Sequence, residues 1–138
     1  MSGSVFVDTS IFYAAADSRD RANRRAKEIL REDFRLVTSD HVLVETWGLL
    51  RSRRDRHVAD AVWAGIRAGA SVDHVGPGDL EVAWAIGESW PDQDFSIVDR
   101  TSFAVMQRLG IHRVATLNDH FGVFRFGPRR ERAFEVVR

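Results

Sequence analysis

Four polar positions in this sequence have side chains that could bind a metal ion together. Asp8 and Asn118 each follow a short apolar run, Glu45 shares a helical face with apolar neighbours, and Asp99 begins another apolar stripe. Two carboxylates about 5 Å apart repel by roughly 3 kcal/mol at an effective dielectric near 20, so clustered acids require protons or a cation. Because the chain has no cysteine, an all-oxygen ligand set favours Mg²⁺ or Mn²⁺ over zinc.

Each of these positions also has an ordinary structural interpretation. Asp8 is a typical turn or helix-cap residue, and Glu45 could form a salt bridge with one of the arginines that follow it. Ser96 and Asp99 have the spacing of a capping box, although Asp99 also continues an apolar face that points to the core. His120, beside a phenylalanine, is more typical of a packed or surface histidine than of a ligand or base. From the residues alone, these alternatives remain open.

The elements that must position these side chains alternate between strands and helices. Apolar runs predict strands at residues 5–7, 35–38, 71–75 and 114–117, a last strand at 123–126 and a short pairing segment at 134–137. Helical periodicity predicts helices at about 9–16, 19–31, 40–52, 55–68, 78–90 and 96–109, with Gly69 and Gly110 as terminating glycines. This order predicts an α/β fold in three α/β/α layers around a parallel sheet of four to five strands. Ligands of such sheets bind beyond the carboxyl ends of the strands, where Asp8 and Asn118 lie.

Length and composition predict one soluble domain spanning residues 1–138. The 44% hydrophobic and 29% charged shares are ordinary for a globular protein. The absence of a leader segment and of any apolar run near 20 residues predicts a cytoplasmic location and no membrane association. The net charge of zero argues against nonspecific coating of nucleic acid. Arginines at 51, 53, 54 and 56 and at 129, 130 and 132 are either solvated or contact phosphates.

Four segments together resemble the PIN-domain nucleases, and specifically the VapC-type toxins of toxin–antitoxin pairs. They are VDTS at 7–10, VET at 44–46, DFSIVD at 94–99 and ATLNDHF at 115–121, in this order over nearly the whole chain. The resemblance implies a PIN-like three-layer fold and hydrolysis of RNA phosphodiesters with Mg²⁺ or Mn²⁺. It also implies a homodimer and a protein antitoxin that blocks the site.

Carried over by position, the resemblance makes Asp8 and Asp99 the principal metal ligands and Glu45 the third acid, which orients or deprotonates the attacking water. Thr9 or Ser10 would support the site through a hydroxyl.

The sequence departs from the family pattern at Asn118, where an acid is common. Its carbonyl oxygen could ligate a metal without contributing charge; otherwise Asp119 compensates through a small backbone shift, or the site uses three acids. This departure keeps a second hypothesis open, in which a catalytically weak PIN-like domain binds RNA or a protein partner without cleavage.

Other α/β classes with acids at strand ends fit less well. A phosphoacceptor receiver domain needs a lysine after a late strand, but Lys27 is the only lysine and comes too early. A haloacid-dehalogenase-type phosphatase needs an aspartate two residues after the first, where this chain has Ser10. A ribonuclease-H-like nuclease opens with antiparallel strands, whereas Asp8 leads directly into a predicted helix.

Overall fold

The computed structural model describes residues 3–138, which form seven strands and seven helices. The strands are β1 (Ser4–Val7), β2 (Arg35–Ser39), β3 (Ser71–Asp73), β4 (Arg113–Ala115), β5 (Arg125–Phe126), β6 (Arg132–Ala133) and β7 (Glu135–Val137). The helices are α1 (Thr9–Ala16), α2 (Asn23–Arg31), α3 (Asp40–Arg53), α4 (Arg56–Gly69), α5 (Pro77–Ser89), α6 (Ile97–Leu109) and α7 (His120–Val123).

Five of the strands form a parallel sheet in the order β3-β2-β1-β4-β7. Strand β1 lies at the centre, and its three apolar residues are fully buried, as expected for a strand covered on both faces. Helices flank this sheet, so the predicted α/β architecture with four to five parallel strands is confirmed. Val7 pairs with Ala115, which places the carboxyl ends of β1 and β4 side by side.

Several helix boundaries follow directly from capping residues. Helix α1 has the bounds predicted from the sequence. Ser39 caps α3 by accepting a hydrogen bond from the Val42 N–H at 3.1 Å, and Asp55 caps α4 in the same way from Val58 at 2.9 Å. Within residues 3–138, no helix is both long enough and apolar enough to cross a bilayer.

Helix α2 begins four residues later than predicted. The Asp17 carboxylate accepts the Arg19 N–H at 3.0 Å, and the Asp20 carboxylate accepts the Ala22 N–H at 2.9 Å. These short side chains therefore satisfy backbone groups in consecutive turns and compete with helix formation.

The predicted last strand at 123–126 is wrong. Residues through Val123 belong to α7, and only β5 is extended there; it pairs antiparallel with β6 outside the main sheet. The edge position beside β4 is taken by β7, which confirms the pairing segment predicted near the C-terminus. Aromatic packing accounts for the hairpin, because the Phe126 and Phe134 rings stack with centroids 4.8 Å apart and both side chains are buried.

The two glycines predicted to end helices differ in conformation. Gly110 has φ of +67° and terminates α6 in the left-handed region, as predicted. Gly69 is the last residue of α4 and has no positive φ, and the capping position falls on Ala70. The assignment of Gly69 as the terminating glycine is therefore wrong.

Candidate active site

The carboxyl ends of β1 and β4, the face of α3 that runs from Glu45 to Arg53 and the first turn of α6 surround one cavity of about 470 Å³. Asp8 follows β1, Glu45 lies on α3, Asp99 lies in the first turn of α6, and Asn118 follows β4. All four line this cavity. The structure thus brings together the side chains that the sequence placed at one edge of the sheet.

Two hydroxyl groups hold the Asp8 carboxylate. The side chain is 5% exposed, and its Oδ2 accepts hydrogen bonds from Ser10 Oγ at 2.9 Å and Thr116 Oγ1 at 2.8 Å. Each hydroxyl also accepts a backbone N–H from the loop after β4, Ser10 from Leu117 and Thr116 from Asn118, both at 2.9 Å. The hydroxyl protons are therefore directed at Asp8.

Asp8 occupies the N-cap position of α1, but its side chain makes no capping hydrogen bond. The cap interpretation is therefore wrong for its carboxylate. Both hydroxyl contacts go to Oδ2, which leaves lone pairs on Oδ1 for a further partner.

Burial raises the pKa of Asp8 above its ordinary value, because it penalises the charged form. The hydrogen bonds from Thr116 and Ser10 act in the opposite direction, and the nearby Asp99 carboxylate raises the pKa further. A bound cation would favour the charged form of this carboxylate.

Asp99 closes a capping box and also faces the cavity. Its backbone N–H donates to Ser96 Oγ and its Oδ2 accepts the Ser96 N–H, both at 3.0 Å. The side chain is only 6% exposed, and two further groups from the loop after β4 reach it. The His120 Nδ1 lies 2.9 Å from Oδ2, and the Asn118 amide donates to Oδ1 at 3.1 Å. Asp99 therefore closes the capping box and at the same time presents its carboxylate to the cavity.

The Asn118 side chain acts as a link between this loop and Asp99. Its carbonyl oxygen accepts the His120 N–H at 2.9 Å, and this contact turns its amide toward Asp99. An aspartate here would have no proton to donate and would add a second negative charge. Asp119 does not line the cavity; it is exposed and pairs with Arg138 at 2.9 Å.

Glu45 is half-buried on the cavity wall, and no arginine among residues 3–138 pairs with it. The salt-bridge interpretation is therefore not supported. Burial raises its pKa, as do the Asp8 and Asp99 charges, while the nearby Thr9 hydroxyl lowers it. This hydroxyl is buried and forms no hydrogen bond of good geometry, so its hold on Glu45 is weak.

The structure adds residues that sequence reasoning did not assign. Thr116 has a direct signal: it ends the apolar run of β4, the strand that pairs with β1 immediately before Asp8. Asp20, Asp94 and Tyr13 also line the cavity, as does Arg53, one of the arginines for which the sequence left phosphate contact open. Asp94 belongs to one of the recognised segments, but nothing in its spacing indicated a role.

The donor set fits a hard divalent cation. Among residues 3–138, no three Asp, Glu or His side chains stand in a finished ligand arrangement around one point. Even so, Asp8, Glu45 and Asp99 line one cavity. The Asp99 charge raises the pKa of Asp8, and the Asp8 and Asp99 charges both raise the pKa of Glu45. Carboxylate oxygens in this number are typical ligands of Mg²⁺ and Mn²⁺. Asp8 and Asp99, with Glu45 beside them, are the residues that would hold it.

Comparison with known proteins places this cavity in a defined context. The sequence pattern of the PIN domain matches residues 5–127. The chain is 37% identical over 125 residues to the 23S rRNA-specific endonuclease VapC20 of Mycobacterium tuberculosis, which covers 88% of this chain and 95% of that protein.

Solved structures agree with this match. A crystal structure of M. tuberculosis VapC20, described as a sarcin–ricin loop cleaving toxin, superposes with a TM-score of 0.81 at 35% identity, covering 87% of this chain and 94% of the other. VapBC2 of Rickettsia felis and a toxin–antitoxin complex of Klebsiella pneumoniae both give TM-scores of 0.64. Their identities are 11% and 15%, with 86% and 84% of this chain and 89% and 88% of theirs covered, so these two show the fold alone.

Proposed function

The chain belongs to the PIN-domain family, and from that premise we propose that it is a divalent-metal-dependent endoribonuclease, the toxin of a toxin–antitoxin pair. The observation that carries the proposal is the convergence of Asp8, Glu45 and Asp99, from three separate elements, on one cavity. Such a cluster is costly for folding alone and useful for phosphodiester chemistry.

Asp8 and Asp99 would hold Mg²⁺ or Mn²⁺, and hydrogen bonds from neighbouring residues keep both carboxylates in place. Ser10 and Thr116 fix the Asp8 carboxylate, and Asn118 and His120 fix that of Asp99. When bound, the cation supplies positive charge that offsets the acids and the charge developing on the phosphoryl group.

Glu45 acts as the base that orients and deprotonates the attacking water. Its raised pKa suits this role, since a base works best when its pKa approaches the working pH. Water gives a proton to Glu45 and attacks the phosphorus in line, a new P–O bond forms, and the P–O bond to the leaving ribose oxygen breaks. The leaving oxygen takes a proton from solvent. The products are one phosphomonoester end and one hydroxyl end.

The competing hypothesis of a PIN-like domain that binds without cleaving depended on Asn118. In this structure the Asn118 amide donates to Asp99 and so supports an acid that the reaction needs. The departure from the family pattern is therefore compatible with cleavage.

Ribosomal RNA is the substrate class we propose, because VapC20 is a 23S rRNA-specific endonuclease. An RNA oligonucleotide with the sarcin–ricin loop sequence is the first substrate to test, following the description of the VapC20 structure. We further propose a cytoplasmic homodimer that is inhibited by a protein antitoxin. Exposed Leu80 and Trp84 on α5 provide apolar surface that a second copy could cover.

Cleavage of that oligonucleotide by variants tests the function. We expect Asp8→Asn and Asp99→Asn each to lower the cleavage rate at least about 100-fold, because each removes charge that holds the cation, worth several kcal/mol in the transition state. Asp92→Asn, an exposed acid outside the cavity, is the matched control and should leave the rate within about twofold.

The wild-type reaction should also stop in EDTA and resume when Mg²⁺ or Mn²⁺ is added in excess. Folded Asp8→Asn and Asp99→Asn proteins that both cleave at the wild-type rate would exclude this mechanism. Binding of the RNA without any cleavage by the wild-type chain would instead favour the non-cleaving alternative.

A further inference from the structure

The cavity has an excess of negative side chains, which is unfavourable for binding RNA. Its lining contains a single arginine, Arg53, and five acids: Asp8, Asp20, Glu45, Asp94 and Asp99. An RNA strand carries a negative charge at each phosphate, so these acids repel it. One bound divalent cation does not offset all five negative charges. A cationic side chain at the rim is needed to hold the flanking strand.

Arg53 lies on the same stripe of α3 as the proposed base. Glu45, Leu49 and Arg53 are spaced at i, i+4 and i+8, and all three line the cavity. Eight residues at 1.5 Å per residue place Arg53 about 12 Å along the helix from Glu45. It therefore lies at the cavity wall away from the proposed base.

The Tyr13 ring forms a cation–π contact with the Arg53 guanidinium. The guanidinium carbon lies 5.3 Å from the centroid of the Tyr13 ring, within cation–π range. The Tyr13 hydroxyl donates to Asp17 at 3.2 Å, and Asp17 also pairs with Arg54 at 3.0 Å. These contacts fix the Tyr13 ring, which contacts Arg53, to the turn that follows α1.

The other arginines of this cluster are engaged differently. Arg54 is paired with Asp17 and Arg56 with Asp60, whereas Arg51 and Arg53 form no ion pair within residues 3–138. Of these two, only Arg53 lines the cavity and contacts Tyr13. Stacking occupies only the face of a guanidinium, so its in-plane N–H donors remain available for two parallel bonds to a phosphate.

We propose that Arg53, stacked on Tyr13, is a phosphate-binding subsite for the RNA backbone next to the scissile phosphate. The inference rests on the proposed ribonuclease function and adds to it a residue that binds substrate without taking part in the chemistry.

Steady-state cleavage of the sarcin–ricin loop oligonucleotide tests the subsite. Arg53→Ala should raise KM about 10- to 100-fold, the usual range for a charge-assisted contact, and leave kcat within about twofold. The dependence of log(kcat/KM) on log[salt] should become shallower by about 0.7, as expected for one lost phosphate contact on a single strand. Arg51→Ala, an exposed arginine of the same helix outside the cavity, is the matched control and should change KM less than twofold.

Three further variants separate charge from geometry. Arg53→Lys should keep the salt slope but still raise KM at least about threefold, because lysine cannot form the paired bonds of a guanidinium. Tyr13→Leu should raise KM by a similar factor, whereas Tyr13→Phe, which keeps the ring, should raise it less. Folding of each variant is checked by its melting temperature.

Equal KM values and salt slopes for Arg53→Ala and Arg51→Ala, with wild-type cleavage intact, would overturn the subsite and leave the ribonuclease proposal standing. Absence of cleavage by the wild-type chain would overturn both.

Discussion

Asn118 determines how much negative charge the cavity carries without a cation. Its amide lies 3.1 Å from Asp99 Oδ1 and donates to it, where an acid would place a second carboxylate. Two like charges at such a distance repel by about 5 kcal/mol at an effective dielectric of 20, before side chains rearrange. This single residue therefore changes both the stability of the metal-free chain and its demand for a cation.

We expect Asn118→Asp to destabilise the chain by about 2 kcal/mol in EDTA, since rearrangement relieves part of the repulsion, and so to lower Tm by about 6–10 °C. Excess Mg²⁺ should recover most of this loss, and should raise the Tm of the variant more than that of wild type. Differential scanning fluorimetry with and without Mg²⁺ measures both effects.

Gln93→Glu also puts a carboxylate in place of an amide that donates to an acid, here Asp92 at 3.4 Å, but in an exposed position outside the cavity where solvent screens the repulsion, and it is the control for Asn118→Asp. It should show neither the loss in EDTA nor the larger recovery. If Asn118→Asp melts at the wild-type temperature in EDTA, the amide does not hold Asp99 in the way described.

At the scale of elements, the glycines at the ends of α4 and α6 have different backbone conformations. The sequence places a glycine at the end of each helix, but only Gly110 has a left-handed φ. A Cβ at either glycine would meet nothing within 4 Å, so backbone conformation alone separates the two.

Gly110→Ala should therefore destabilise the chain by about 1 kcal/mol, the cost of a left-handed conformation for an L-residue. Gly69→Ala should be neutral or stabilise by up to about 1 kcal/mol, because alanine is the better helix former. Denaturant titration of the pair gives both values. Equal effects of the two substitutions would contradict the assigned conformations.

The elements also show what the sequence could predict. The positions of Asp8 and Glu45 were predictable because they depend on local patterns. Asp8 directly follows an apolar run, and helical periodicity places Glu45 on the same face as its apolar neighbours. The contacts of Thr116 and Asn118 were not predictable, since they depend on the register between β1 and β4, strands more than 100 residues apart. The hairpin of β5 and β6 was missed for a different reason: each strand has only two residues, and the stacking of Phe126 on Phe134 supports it.

At the scale of the molecule, one arginine joins the helical layer to the edge of the sheet. Arg108 of α6 donates two hydrogen bonds to Asp79 of α5, at 2.9 and 3.0 Å, and one to Asp73 of β3 at 2.6 Å. Asp79 also accepts the Gly76 N–H at 2.9 Å and so fixes the start of α5. The hydrogen bonds from Arg108 are the main reason that the pKa of Asp79 lies below its ordinary value of 3.8.

This lowered pKa has a defined consequence for acid stability. A carboxyl whose pKa is lower in the folded state stabilises the fold fully above its unfolded pKa, and this contribution is lost as pH falls through the folded pKa. We expect Asp79→Asn to be less stable than wild type by about 1–2 kcal/mol at pH 7, a value reduced because the Arg108 side chain is 44% exposed.

The stability difference between wild type and Asp79→Asn should stay constant from pH 7 to about pH 5 and narrow progressively below about pH 4, near the unfolded pKa. Asp8 and Glu45, whose pKa values are raised, act with the opposite sign, but they are present in both proteins and cancel in the comparison. Urea titrations at several pH values, with Asp92→Asn as the exposed control, measure the difference. A gap that stays unchanged down to pH 2.5 would show that the ionised Asp79 carboxylate does not contribute to stability through Arg108.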